Sequence, residues 1–354
     1  MNLQNSQVSK EDEMQKFKKI LLFANSELTN EAALTRTASL AKKNNASISL
    51  LSVVVPFPAE WGVVGDWGTS LDAGAPSSLH LQSIQATEEF LEDAAAAIRN
   101  QGLHASTKVA VGTPFQQVIR EVLRNGNDLV VVTAEGRGGL SERLFGSTTM
   151  HLMRKCPCPV WVIKPTQREP FRRILAAVNP APGDETISSL NQRIMELAVS
   201  LAAIEESEIH IVRAWNLPGE RLLRGRGKLS PSEADKFVGS MGQACKEWLK
   251  EFLKEFPLND DILHHIHMVK DEAGPAIARL ASERDIDLIV MGTVGRTGVS
   301  GLFIGNTAED VLRLVECSVL AVKPEGLVSP VGLENGARSG SAPAYQDKER
   351  KERL

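Results

Sequence analysis

The chain has 354 residues, 42% of them apolar and 24% charged, which suits a globular protein of about two domains. A net charge of −4 lacks the basic excess of nucleic-acid binders, and no apolar run reaches the roughly 18 residues that span a bilayer. Residues 1–16 are polar and mixed in charge, unlike a signal peptide, and four cysteines in so long a chain fit a reducing compartment, so the expected location is the cytoplasm.

In chain order, the first half predicts a strand at 20–24, a helix at 31–43 and a strand at 48–55. An irregular insert at 56–83 leads to a helix at 84–100, a strand at 106–111, a helix after Pro114 and a strand at Leu129–Thr133. A glycine-rich loop, a helix and a strand at Val160–Ile163 close the half, and 166–170 reads as a linker. The second half repeats this order, with strands at 174–178, 208–214, 263–269, 288–291 and 319–322. Its helices fall at 186–203, 232–256, 275–283 and 306–315, with a second insert at 216–230. Apolar strand runs alternating with segments of 3.6-residue period argue for parallel sheets covered by helices on both faces. Residues 325–354, rich in Gly, Ser, Pro and charge, predict a mobile tail.

The repetition extends to single residues. Gly295, Arg296, Gly305 and Thr307 return 159 positions earlier as Gly136, Arg137, Gly146 and Thr148. Lys323-Pro324 answers Lys164-Pro165, and the Phe171-Arg-Arg-Ile run answers Phe17-Lys-Lys-Ile. A period of that length is a whole domain, so the chain reads as a duplication with domains at 17–165 and 171–324.

Gly292, Gly295 and Gly305 stand between an apolar strand and an amphipathic helix on which Ala308, Val311, Leu312 and Val315 form one face. Glycines let a ligand approach the main chain, and the free N–H groups of a helix start suit an anion. The same loop also serves plain chain reversal. In spacing, flanking strand, following helix and duplication, the chain resembles the universal stress proteins in their tandem form. The G-x2-G-x9-G-(S/T) signature of their nucleotide-binding members is met with Asn306 in its last place. In the first half Thr133 replaces the first glycine, while Gly136, Gly146 and Ser147 remain.

The resemblance implies two Rossmann-like α/β domains of the adenine nucleotide alpha hydrolase type, each a five-stranded parallel sheet of order 3-2-1-4-5. It implies an adenine nucleotide, ATP with Mg2+, at the switch point between strands one and four. The base and ribose would lie near Asn179 and Met291, with Gly292 leaving room for the ribose, and the phosphates over Gly295 and Gly305 with Arg296 as a phosphate partner; Asn306 and Thr307 complete the nucleotide-binding set. A second site would use Asn25, Thr133, Gly136, Arg137, Gly146, Ser147 and Thr148. Asn25 and Asn179 stand where ATP-binding members carry Asp, and an amide keeps both donor and acceptor capacity. The implied function is that of a nucleotide-binding stress regulator working through conformation, an unidentified protein partner or a homo-oligomer. Its two domains would pair through their fifth strands. Slow ATP hydrolysis or nucleotidyl chemistry, and a ligand-free scaffold, are the alternatives.

No catalytic residue is expected: Ser300 lies outside a G-x-S-x-G elbow, and no paired carboxylates or acidic Mg2+ motif stand out. No metal site is expected either. His264, His265 and His267 cluster, but alternation splits 264 from the other two and no carboxylate stands beside them in sequence, so they read as a solvent-facing strand. Arg221, Arg224, Arg226 and Lys228 read as a solvated loop. The cysteines read as structural thiols, with Cys156-Pro-Cys158 as the redox alternative.

Overall fold

The computed structural model describes residues 16–24, 31–56, 75–134, 146–164, 170–225, 230–258, 262, 265–293 and 305–333. The first half runs β1 (Lys19–Phe23), α1 (Glu31–Asn44), β2 (Ser47–Val54), α2 (Ala75–Arg99), β3 (Ala105–Val111), α3 (Pro114–Asn125), β4 (Leu129–Thr133), α4 (Ser147–Lys155) and β5 (Val160–Ile163). The second half runs β6 (Arg173–Ala177), α5 (Glu185–Glu205), β7 (Glu208–Trp215), α6 (Glu220–Gly225) and α7 (Pro231–Leu253). It continues with β8 (Ile266–Lys270), α8 (Ala273–Glu283), β9 (Leu288–Gly292), α9 (Asn306–Leu314) and β10 (Ser318–Val322). Among the described residues no helix is long and apolar enough to cross a membrane.

Local chemistry sets several of these boundaries. Pro114, with its fixed φ, opens α3, and Gly126 closes it at φ 65°, its N–H donating to the Val122 carbonyl. At the start of α7, Ser230 and Glu233 cap each other's backbone N–H groups, and Pro231 follows directly. Each half also ties the start of its first strand to a carboxylate. Asp128 accepts from the N–H groups of Lys18 and Lys19 at 2.7 and 3.1 Å, and Asp287 accepts from those of Arg172 and Arg173 at the same distances.

The strands form one ten-stranded sheet in the order β3-β2-β1-β4-β5-β10-β9-β6-β7-β8. Neighbours within each half are parallel, so their connections are helical crossovers. The halves meet at an antiparallel seam, where Leu320 of β10 lies opposite Trp161 of β5. Both seam strands are buried along their whole length, whereas the outer strands β3 and β8 are half-exposed.

Because side chains alternate across each strand, the sheet has two cores, and both run through the seam. One gathers Ile20, Leu22, Trp161, Phe171, Ile174 and Leu320, and the other Leu21, Val160, Val162, Leu175, Val319 and Ala321. On the first face, the Trp161 and Phe171 rings meet at a 48° tilt with centroids 5.9 Å apart, and Arg36 lies over the Phe171 ring at 3.5 Å while its guanidinium sits 3.9 Å from Glu205. A buried guanidinium needs such company to offset its lost hydration.

Four expectations need correction. The helix placed at 84–100 begins at Ala75, so the insert before it is shorter than 56–83. The insert at 216–230 contains α6, on which Glu220 and Arg224 form an i, i+4 ion pair at 2.9 Å. Arg224 also meets Asp235 at 2.6 Å, so it is paired rather than merely solvated, while Arg226 and Lys228 lie outside the described residues. The third strand of the second half starts at Ile266 rather than 263. The first part of the segment expected to be a mobile tail packs on the protein: the half-buried Val331 lies against the second core, and the Gly332 carbonyl accepts from Arg120 Nε at 3.4 Å.

Candidate functional site

In the second half the strand order turns between β6 and β9, and a cleft of about 170 Å³ opens beyond their carboxyl ends. Asn179, Met291, Gly292, Gly305, Asn306 and Thr307 all line it. Gly295 and Arg296 lie outside the described residues.

Each wall has a local cause. Asn179 follows the end of β6, and its N–H donates to Asn191 Oδ1 at 2.8 Å. Asn191, 4% exposed on α5, donates from Nδ2 to the Ile187 carbonyl one turn earlier at 2.8 Å. The amide therefore fixes where the chain leaves the strand. Sequence reasoning missed Asn191; its only signal is an amide on the otherwise apolar face of α5 that carries Leu190, Ile194 and Ala198. In the first half the equivalent position is Thr37, whose hydroxyl donates to the Ala33 carbonyl of its own helix. Replacing Asn191 with alanine is expected to leave the Asn179 N–H without this acceptor and to cost about 1–3 kcal/mol of stability. Urea unfolding reads this, and an unchanged midpoint would remove Asn191 from the role.

The far wall is the start of α9. Gly305 is its N-cap at φ −65° and supplies no side-chain cap, so the first N–H groups of the helix face the cleft without one. The Gly305 N–H donates to the Thr293 carbonyl at 2.7 Å, which pins together the two ends of segment 294–304. Thr293 is held in turn from below, where Lys323 Nζ donates to its hydroxyl at 2.9 Å and also to the Met153 carbonyl of the first half. The described lining is otherwise apolar, with no carboxylate among its residues.

Gly292 has a packing reason as well as an access reason. A Cβ there would meet Leu190 Cδ2 at 2.8 Å and Leu190 Cγ at 3.2 Å, so any side chain pushes into the cleft-lining face of α5. In the first half Thr133 is buried with its hydroxyl oxygen making no hydrogen bond. Gly146 caps α4, whose first residues Ser147 and Thr148 follow. Asn25, Gly136 and Arg137 lie outside the described residues.

Burial lowers Lys323 to about 8 and pushes the Cys317 thiol up to about 12. All four cysteines are free and buried, and Cys156 and Cys158 bring their sulfurs to 3.6 Å. For Lys323 the folded value lies below the unfolded one of about 10.5. The buried charge therefore costs stability in full below pH 8, and stability rises between 8 and 10.5 as the folded state sheds the proton first. Between pH 8 and 9 the wild type should gain about 1 kcal/mol relative to Lys323→Met. Urea titrations at both pH values measure it, and parallel pH dependences would refute the assignment. The Cys317 thiol acts in the opposite sense from about pH 9 upward, equally in both proteins.

The other sequence-derived cluster changes character. His265 and His267 do not stand alone on a solvent-facing strand. The β7–β8 pairing sets His210 and Glu208 beside them, with His210 2% exposed. His264 lies outside the described residues.

Comparison with known proteins agrees with the duplicated architecture. The profile of the "Universal stress protein family" matches residues 16–164 and again 170–323. Universal stress protein E of Escherichia coli (strain K12) is 26% identical over 324 residues, 91% of this chain and 99% of that protein. The Universal stress protein E homolog of Haemophilus influenzae is 26% identical over 87% of this chain and 98% of its own length. Two solved structures share the fold. A functionally unknown protein from Pseudomonas aeruginosa PAO1 has TM-score 0.67 and 24% identity, covering 89% of this chain and 95% of that one. A universal stress protein from Archaeoglobus fulgidus DSM 4304 has TM-score 0.55 and 16% identity, covering 87% and 99%. With both halves matched separately and joined at one seam, the chain belongs to the universal stress protein family as a tandem of two of its domains.

Proposed function

We propose that this protein is a cytoplasmic stress regulator whose second half binds an adenine nucleotide, ATP with Mg2+, in the β6–β9 cleft. Its output would be a change of conformation or partner rather than turnover. The observation that carries the reading is a convergence: Asn179 at the end of β6, Gly292 at the end of β9 and the N-terminus of α9 open on one cleft. Amide and hydroxyl groups suit a nucleoside on one side, and backbone N–H groups at a helix start suit phosphates on the other. Glycines 295 and 305, with Arg296, extend the phosphate side in the sequence. The first half, with Thr133 in place of the glycine, is the weaker site in this reading.

Calorimetric titration of tag-free protein with ATP and Mg2+ tests this directly, alongside native mass measurement of the protein as purified. One dominant saturable site per chain is expected. Absence of saturable binding up to millimolar nucleotide, in a protein purified without bound ligand, would replace the reading with a scaffold acting by protein contacts alone.

A further inference from the structure

At the opposite side of the second half, strands β7 and β8 carry a polar cluster that the nucleotide reading does not use. Glu208 and His210 are two residues apart on β7 and so share a face, and His265 immediately precedes β8. Glu208 Oε1 lies 2.9 Å from His210 Nε2 and 3.2 Å from His265 Nε2, and the three ligand atoms fall within 4.8 Å of one another. From these residues we infer a binding site for a divalent transition-metal ion of the zinc type, held by Glu208, His210 and His265 and fastening β8 to β7.

Three features of the geometry support the assignment. The spacing is close to what an ion needs: nitrogen and oxygen ligands about 2.0–2.2 Å from a tetrahedral zinc stand roughly 3.3 Å apart, near the 3.2 Å from Glu208 to His265, while the 2.9 Å contact to His210 would open by a few tenths of an ångström. The direction is right as well. Nε2 of the buried His210 has no hydrogen-bond partner of good geometry, although Glu208 Oε1 lies 2.9 Å from it. Two ligands of one ion take that arrangement, since the ion sits on the lone-pair axis and the oxygen to its side. The third feature is the outer layer. His210 Nδ1 is 3.1 Å from His267 Nε2, the contact that fixes the tautomer of a metal-bound imidazole. Arg173 Nε donates to Glu208 Oε2 at 3.3 Å and leaves Oε1 facing the histidines.

The surrounding charges are mixed. Arg173 is the nearest cation and opposes a metal ion, but Asp285 lies 3.6 Å from its guanidinium and offsets part of that charge. The Glu208 and His265 side chains are 37% and 32% exposed, so an ion reaches the cluster from solvent while His210 forms its floor. Imidazole with one carboxylate suits zinc, nickel or copper ions better than calcium or magnesium, and water would complete the shell.

The test uses the full chain without an affinity tag, stripped with a chelator and titrated with Zn2+ alone. One ion per chain is expected, together with a rise in the melting temperature that the chelator reverses. Cobalt(II) in the same site should give the strong visible absorption of tetrahedral coordination. Glu208→Gln and His265→Gln, both at partly exposed positions, should weaken zinc binding at least tenfold while circular dichroism shows an intact fold. His267→Gln should weaken it by about 10–100-fold. His104→Gln, on the exposed turn before β3, serves as the control and should bind as the wild type does. Failure of the stripped wild type to take up zinc, or uptake unchanged in both Glu208→Gln and His265→Gln, would overturn the site.

Discussion

Leu320→Pro is expected to break the molecule at its seam. Leu320 is fully buried in β10, opposite Trp161 on one side and Val290 on the other, so its strand is paired along both edges. Proline removes a ladder donor and forces its ring into a central strand, a place where proline is essentially not found. Loss of the leucine side chain adds a cavity at the point where the two halves share a core. In scanning calorimetry the wild type should melt in one transition, because neither half closes its cores alone. The variant should lose that cooperativity, and its scattering radius should grow as the halves hinge apart. Leu320→Ala keeps the donor and separates the two contributions. A wild type that already melts as two independent domains would sink the argument.

Gly292→Val should cost the proposed nucleotide site at least tenfold in affinity. The added Cβ begins 2.8 Å from Leu190 Cδ2, and the two methyls beyond it need space that Leu190 and Ile194 now fill at the cleft wall. Overpacking of this kind destabilises by about 1–3 kcal/mol, so binding must be compared under conditions where circular dichroism shows both proteins folded. Gly292→Ala supplies the graded step, since a single methyl asks only Leu190 to move. Titration of Gly146→Val gives the reciprocal control in the first half. Unchanged binding in Gly292→Val with loss in Gly146→Val would reverse the assignment of the sites to the halves.

The parts of the fold that were legible in the sequence are those whose cause is local. Val160–Ile163 and the strand that begins at Ser318 are apolar on both faces because both faces are covered, and a run of four such residues is visible without knowing its neighbours. Gly292 and Gly305 were legible for the same reason: a turn and a helix start are written in a few adjacent residues. What stayed hidden depends on register or on distant partners. Asn191 is an unremarkable amide until its oxygen is found on the Asn179 N–H, twelve residues back. Glu208 and His265 stand 57 residues apart, and only the β7–β8 alignment joins them. The start of α2 at Ala75 was obscured by the Pro and Ser residues of its first turn, which read as breakers although a first turn accepts them.

The antiparallel seam also bears on how the chain uses symmetry. Two copies of a single-domain protein that met in this way would be identical, so any change at one ligand cleft would appear at the other. They would also separate on dilution. Here nine residues separate Ile163, the last residue of β5, from Arg173, the first of β6. Each half therefore meets its counterpart at a fixed, very high effective concentration whatever the amount of protein in the cell. Joined in this way, the two halves are free to diverge. Thr133 stands where its counterpart is Gly292, and Thr37 stands where its counterpart is Asn191, within a pair that dilution does not take apart.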